Sequence, residues 1–411
     1  MEAMNNPTTR FLPQCETVLP PDEAAVTQAV RRAAAEKRAV YPVGGATRLA
    51  YGPPSEVPGI ALVTTALNRV IEHAADDMTI TVEAGVTLTE VTRILALKRQ
   101  RLPIDVPQPT RATIGGTIAT NTFGPRRFGH RTVRDYLIGV RAVDGRGEVF
   151  AGGGRVVKNV AGYDMPRMLV GSMGTLGLIT QVSLMVRPAA ETAAMVAATL
   201  PDVHAAERLI ARLMQSPTWP VSIDLLSSGW GYEDTGETVH DVEQVQLLAG
   251  FEGGWAEVRG DVDFLCQEWK NSSAHKVRVF DEADTPGMWQ WMADLPAQLQ
   301  AHVLPSRAVT LACRIAEIDP GCALLIHAGD GIVKVRLSDE AVSDLPSLLT
   351  TKLRPAAEEL GGNLVVLVAE PAGVLKRDDV WGKSHNAGEV MHAVKGSFDP
   401  EGILNPGRWV F

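Results

Sequence analysis

"YPVGGATRLAYG", residues 41–52, is the stretch on which the fold turns. A short apolar run from Arg38 to Val43 feeds into two glycines, and a small hydroxyl residue, Thr47, follows them. Glycine lets a backbone turn tightly or approach a neighbour closely, and the amide groups exposed in such a turn form a concave nest for an anion. Two more stretches have the same character: "TIGGTIATNTFGPRRFG" at 113–129 and "KNVAGYDMPRMLVGSMGTLGLIT" at 158–180, with Thr113, Ser172 and Thr175 among their glycines. Any one of them also reads as a hairpin or bulge. Three in one half of a chain point to a large dinucleotide held by backbone rather than by side-chain charge. The spacing of Gly171, Gly174 and Gly177 is not G-x-G-x-x-G, and no acidic residue stands where a ribose partner belongs, which disfavours a nicotinamide cofactor.

Composition agrees with a backbone-held anion. The chain has 411 residues, 45% hydrophobic and 21% charged, which suggests two domains of an ordinary globular protein. Its net charge of −9 argues against a nucleic-acid or anionic-membrane partner. Cys15, Cys266, Cys313 and Cys322 lie far apart with no CxxC spacing, so a reduced, cytoplasmic protein without a zinc knuckle or iron–sulfur cluster is expected. No signal peptide is evident, and the apolar run "LVVLVA" at 364–369 has the length of a strand, so no membrane span is expected.

Residues 22–37 read as a helix with Ala25, Val26, Ala29, Val30 and Ala33 on one face behind an Asp N-cap, and Ile60–Thr64 and Met78–Val82 read as strands. After Arg187–Pro188 the texture changes. Helices at 202–216 and 254–271 alternate with strands at 193–200, 221–226, 244–251, 308–316 and 323–337, the pattern of an antiparallel sheet covered by helices, and 227–240 reads as a long loop. The expected fold is α+β, with a tail at 1–14, a first domain at 15–190, a second at 191–375 and a C-terminal segment, 376–411, that returns to the first.

Taken together, "PVGGATRL", "ATIGGTIATN" with its following "RRFG", the 158–180 stretch and the C-terminal "FDPEGILNPGR" resemble the FAD-linked oxidases of the vanillyl-alcohol oxidase type, and among them the FAD-binding subunits of glycolate oxidases. The resemblance implies a two-subdomain, PCMH-type FAD-binding domain followed by a cap domain. It implies that Pro42, Val43, Gly44, Gly45, Ala46, Thr47, Arg48 and Leu49 wrap the pyrophosphate, and that Pro107, Thr113, Ile114, Gly115, Gly116, Ala119, Asn121 and Gly124 line the flavin and its linker. Gly162, Gly171, Ser172, Gly174, Thr175, Gly177 and Ile179 would close the site, with Asn405 and Gly407 completing it. Relatives that attach the flavin covalently carry a histidine where this chain has Ala46, so FAD is expected to be non-covalent.

The second decisive stretch is "LLIHAGDGIVKVRL", 324–337. A two-residue turn at Asp330–Gly331 would set His327 directly opposite Lys334. Leu324, Ile326, Ala328, Val333, Val335 and Leu337 would then form a core face, and His327, Lys334 and Arg336 would face a cleft or solvent. Metal-dependent relatives have H-x-G-D-G-N-x-H here and a glutamate followed by a catalytic histidine elsewhere; this chain has Ile332, Lys334 and Glu370–Pro371 instead. An ammonium about 4 Å from a divalent cation repels it by roughly 8 kcal/mol at an effective dielectric of 20, so no metal is expected. His327 is then an ordinary strand histidine, and Lys334 with Arg336 either replaces the metal as a carboxylate holder or forms a solvated strand face.

Other candidates have bland readings beside sharp ones. Trp289 and Trp291 suit a pocket but, in a helix, suit a core better. Arg126 and Arg127 would reach the FAD or stay solvated; Tyr163 and Asp164 would position backbone; His385 and His392 would share a helix face without a carboxylate partner. The resemblance implies an FAD-dependent oxidoreductase oxidising glycolate to glyoxylate as one subunit of a complex, with electrons passing to a sister catalytic flavoprotein and an iron–sulfur subunit and membrane association only through partners. The alternatives are a self-sufficient, metal-free dehydrogenase of D-lactate type using His327, Lys334 and Arg336, and a scaffold subunit with a vestigial flavin site.

Overall fold

The computed structural model describes residues 11–154, 164–227, 230, 245–368, 375–382 and 387–408. Strands β1 (Cys15–Val18), β2 (Ala39–Val43) and β3 (Gly59–Val63) form a parallel sheet in the order β1-β3-β2. Helix Glu23–Ala35 packs Val26, Val30 and Ala33 onto it, and its N-cap is Asp22, whose side chain accepts from the Ala25 N–H. That is the local consequence of an Asp ahead of an apolar stripe.

Strands β4 (Val70–Ala74), β5 (Thr79–Glu83), β7 (Leu137–Val143), β8 (Val149–Gly153) and β9 (Leu178–Met185) form a five-stranded antiparallel sheet, order β4-β5-β9-β7-β8. The short strands β6 (Gln100–Arg101) and β10 (Arg187–Pro188) pair beside it. The chain's last described residues come back to the first sheet: the Val40 N–H donates to the Ile403 carbonyl at 2.8 Å and the Asn405 N–H to that of Val40 at 2.8 Å.

Strands β11 (Thr192–Leu200), β12 (Ser222–Leu226), β13 (Val245–Gly253), β14 (Lys276–Phe280), β15 (Leu299–His302), β16 (Ala323–His327), β17 (Ile332–Arg336) and β18 (Asn363–Val366) make one antiparallel sheet, order β14-β11-β13-β12-β16-β17-β15-β18. Helices Val203–Leu213, Trp255–Lys270 and Ala308–Ile318 cover one face, which holds the largest core. The molecule is therefore α+β, with a helix-covered antiparallel sheet in its second half.

Two expectations are corrected here. Residues 308–316, read as a strand, lie in helix Ala308–Ile318; Ala308, Leu311, Ala312 and Ile315 are buried at helical spacing, and this periodicity outweighs the β-branched Val309 and Thr310. The turn at Asp330–Gly331 is also not a two-residue one. Only Gly331 has a positive φ, +72°, whereas a type I′ turn needs it at both central residues. The Asp330 and Gly331 N–H groups both turn back to the His327 carbonyl at 3.1 Å, closing a four-residue loop. The register shifts by two, so His327 opposes Ile332 and Lys334 opposes Leu325. A shift of two keeps every side chain on its face. The six core-face residues stay buried in the main cluster, and His327 and Lys334 become diagonal neighbours.

Candidate functional site

The glycine loops meet at one cleft of about 980 Å³, counting its open mouth. Pro42 through Leu49, Pro107, Thr113, Gly115, Gly116, Ala119, Gly174, Gly177, Ile179 and Asn405 all line it. The loops interlock at backbone distance: a Cβ on Gly45 would stand 1.7 Å from the Arg111 carbonyl oxygen, and one on Gly174, at φ +70°, 2.8 Å from the Pro42 ring. Asn405 fastens the C-terminal return by donating Nδ2 to the Met173 carbonyl at 2.5 Å.

Some expected residues stand elsewhere. Asn121 and Gly171 line an adjoining pocket, and Ile114 is core. Gly124 abuts Asp105, Thr175 donates its hydroxyl to the Ser172 carbonyl at 2.6 Å, and Gly407 at φ +84° lies against Ser55; none of these three lines either pocket. Ser172 Oγ is buried without a hydrogen-bond partner among the described residues, as is Asn121 Oδ1. Gly162, Tyr163, Glu370, Pro371 and His385 lie outside the described residues. Asp164 caps helix Met165–Leu169, and His392 is exposed on helix Gly388–Phe398.

The cleft fits an FAD. Among the described residues no acidic side chain lines it, so nothing there repels a pyrophosphate, while the Gly44–Gly45 turn and the Arg48 guanidinium supply positive ends. Arg408, also in the wall, spends its guanidinium on the carbonyls of Tyr51, Leu49 and Phe11.

The second pocket shares Arg48, Tyr51, Thr120, Thr122 and Met173 with the cleft and is otherwise lined by Asn121, Phe123, Arg127, Gly171, Gln300, His302, Lys334, Leu367 and Trp381. It has three cations and, among the described residues, no carboxylate. Lys334 is 5% exposed, and its ammonium makes no hydrogen bond or ion pair among the described residues. Burial, then the charge of Arg48, pushes its ammonium down to about 8. Burial likewise lowers the Arg48 guanidinium. Arg127 stacks over Phe123 at 4.5 Å, and its Nε is 3.7 Å from an Asp330 oxygen.

The three residues chosen from the hairpin thus separate. Contrary to the expectation of a cleft or solvent face for all three, His327 is 2% exposed and is bonded through Nδ1 to Asp224 Oδ1 at 2.6 Å; Asp224, 0% exposed, is its partner across β12 and β16. Arg336 stacks on Trp230 at 4.4 Å. Lys334 alone lines the pocket. Arg126 belongs to a buried network: it pairs with Asp105 at 2.5 Å and Glu252 at 3.2 Å and stacks over Trp289 at 4.6 Å, and Trp289 itself is core. Among the described residues no three His, Cys, Asp or Glu side chains gather as a metal-binding group. No helix of the described residues is long and apolar enough to cross a membrane. Gln300 and His302 were missed by sequence reasoning, because a short strand, "LQAH", carries no local signal that it borders a pocket.

Comparison with known proteins agrees with this architecture. The FAD binding domain family matches residues 16–153, and the family described as FAD linked oxidases, C-terminal domain, matches 322–409. The chain is 31% identical to a D-2-hydroxyglutarate dehydrogenase of Xanthomonas citri pv. viticola over 433 aligned positions, covering 98% of this chain and 90% of that protein. It is 26% identical to glycolate oxidase subunit GlcD of Bacillus subtilis over 90% of this chain and 83% of that protein. It is 34% identical to subunit GlcE of Escherichia coli over 165 residues, 40% of this chain and 47% of that one. A solved structure of alkyldihydroxyacetonephosphate synthase superposes with a TM-score of 0.71 at 16% identity, covering 95% of this chain and 76% of that one, a likeness of fold alone. With both halves of the family in order on one chain, this protein belongs to the FAD-linked oxidases, and FAD is its cofactor.

Proposed function

We propose that this chain oxidises a small 2-hydroxy acid of the glycolate and D-lactate class with non-covalent FAD and without a metal. The observation that carries this reading is Lys334, a buried ammonium without an ion-pair partner among the described residues, flanked by Arg48 and Arg127 in a pocket that opens onto the flavin cleft. The attraction of Asp224 and Asp105 offsets only part of the cost of burying this charge, and a bound carboxylate supplies more. Arg127 offers a planar fork for a carboxylate and Lys334 a point charge. Tyr51, Met173, Leu367 and Trp381 supply an apolar wall to the same pocket. FAD, when bound, supplies the two-electron acceptor for the C2 hydrogen. Non-covalent attachment is supported by the lining of the cleft, which among the described residues includes no His or Cys side chain.

A second layer of the proposal is partnership. The similarity to two differently named glycolate oxidase subunits supports a role inside a glycolate-oxidising complex; in this proposal electrons leave through a sister flavoprotein and an iron–sulfur subunit. The test is anaerobic mixing of the FAD-loaded chain with glycolate, D-lactate and larger 2-hydroxy acids, with and without chelator, while flavin absorbance is followed. Bleaching that chelator does not slow is expected. Bleaching abolished by chelator, or no bleaching with any of these acids, would overturn the metal-free reading.

A further inference from the structure

His302 closes strand β15, and its ring lines the pocket that holds Lys334. Gln300 opposes Lys334 and His302 opposes Ile332 across β15 and β17, so His302 and Lys334 are diagonal neighbours on one face of the sheet. Diagonal neighbours of this kind lie about 7–8 Å apart, with their Cβ atoms somewhat closer, near enough for one small molecule to touch both side chains. The ring is held from two sides: its Nε2 lies 2.7 Å from the Gln300 side-chain amide nitrogen, and Phe123 packs edge-on at 6.3 Å. A half-turn of the amide offers oxygen in place of nitrogen, so Gln300 can satisfy Nε2 whether or not it carries the proton. The other ring nitrogen, Nδ1, has no hydrogen bond among the described residues.

Oxidising CH–OH to C=O breaks two bonds to hydrogen. The C–H bond gives its hydrogen and electron pair to the oxidant, FAD, and the O–H bond gives a proton to a base while its electrons become the new C=O π bond. Three pocket groups among the described residues titrate in a relevant range: Tyr51, Lys334 and His302. Burial pushes the Tyr51 phenol up to about 12, so it keeps its proton. Lys334, at about 8, is still mostly an ammonium at neutral pH, and a carboxylate beside it raises it further. Burial and then the charge of Arg127 push His302 down to about 4, which leaves a neutral imidazole with one lone pair. Cation and base are thus set on adjacent strands.

We propose that His302, oriented by Gln300, takes the hydroxyl proton of a 2-hydroxy acid whose carboxylate rests on Lys334 and Arg127. The assignment rests on the function proposed above. Burial is the larger cause of the neutral imidazole and the Arg127 charge the smaller; the substrate's carboxylate offsets the Arg127 part, so the base strengthens when substrate binds. The imidazolium formed returns its proton to water as the 2-oxo acid leaves.

The test uses the FAD-loaded full chain and its His302→Asn variant. Oxalate, which cannot be oxidised here, reports binding by its perturbation of the flavin spectrum, and anaerobic flavin reduction reports the reaction. His302→Asn is expected to slow reduction about 10²–10³-fold at pH 7 with the oxalate dissociation constant within about threefold of wild type. Its residual rate should climb with pH as hydroxide takes over. Wild-type kcat/KM should be flat from about pH 5 to 7 and fall above 8, where Lys334 loses its proton. Full-speed reduction by His302→Asn, or a loss of oxalate affinity that matches the loss of rate, overturns the assignment alone. A wild-type flavin that no 2-hydroxy acid bleaches overturns the parent reading with it. Should His302→Asn not fold, Gln300→Leu keeps the imidazole and removes its orienting partner; about tenfold slower reduction at unchanged oxalate affinity supports the assignment, and an unchanged rate overturns it.

Discussion

Replacing Lys334 by methionine should stabilise the FAD-free protein and weaken its anion binding at once. Methionine nearly matches the volume of lysine and removes the charge. In the folded state the ammonium is pushed from 10.5 down to about 8 by burial and by Arg48. At ~1.4 kcal/mol per pH unit, the folded protein carries roughly 3 kcal/mol of cost for holding Lys334 charged at pH 7. Between about pH 8 and 10.5 the unfolded chain binds more protons at this site than the folded one, so wild-type stability rises with pH across that window. The advantage of Lys334→Met is therefore full below pH 8 and fades toward pH 10.5. Thermal unfolding should show the variant melting about 3 °C higher at pH 7, with the gap closing by pH 10. Oxalate should raise the wild-type midpoint far more than that of the variant, since ligand binding stabilises by mass action. A variant that melts lower than wild type, with a gap that ignores pH and oxalate, would show that Lys334 is a satisfied packing residue and would remove the basis of the anion site.

Two further changes probe the scaffold. Gly45→Ala brings a methyl within 1.7 Å of the Arg111 carbonyl, so the first and second glycine loops must part; purified Gly45→Ala is expected to carry less than about a tenth of the wild-type flavin, read from the 450 nm band, and a full complement of flavin would refute the interlock. Glu252 is buried among His130, Arg126 and Arg101; burial alone would raise its carboxyl, but these partners lower it to about 2. The stability this contributes is complete above pH 4.5 and is lost as pH falls toward 2, so Glu252→Gln should cost about 3–5 kcal/mol in urea unfolding at pH 7 and much less at pH 3; a cost that does not change with pH would refute the ion-pair account.

Much of this protein was legible in its sequence because the deciding signals are local. The glycine loops at 41–52 and 113–129 announce a backbone cradle through residues that only tight approach requires, and alternation along 324–337 assigns every side chain its face even when the register slips by two. Which cations share a pocket was not legible. Arg48 comes from the first glycine loop, Arg127 follows the second, Lys334 sits on β17 and His302 on β15, and only the stacking of the second-half sheet against the flavin cleft brings them together. The same holds for His327, whose partner Asp224 lies 103 residues away and turns a candidate ligand into a buried, bonded core residue. Periodicity and turn chemistry are set by neighbours along the chain and can be read there; charge, burial and protonation are set by neighbours in space, and those the tertiary structure alone decides.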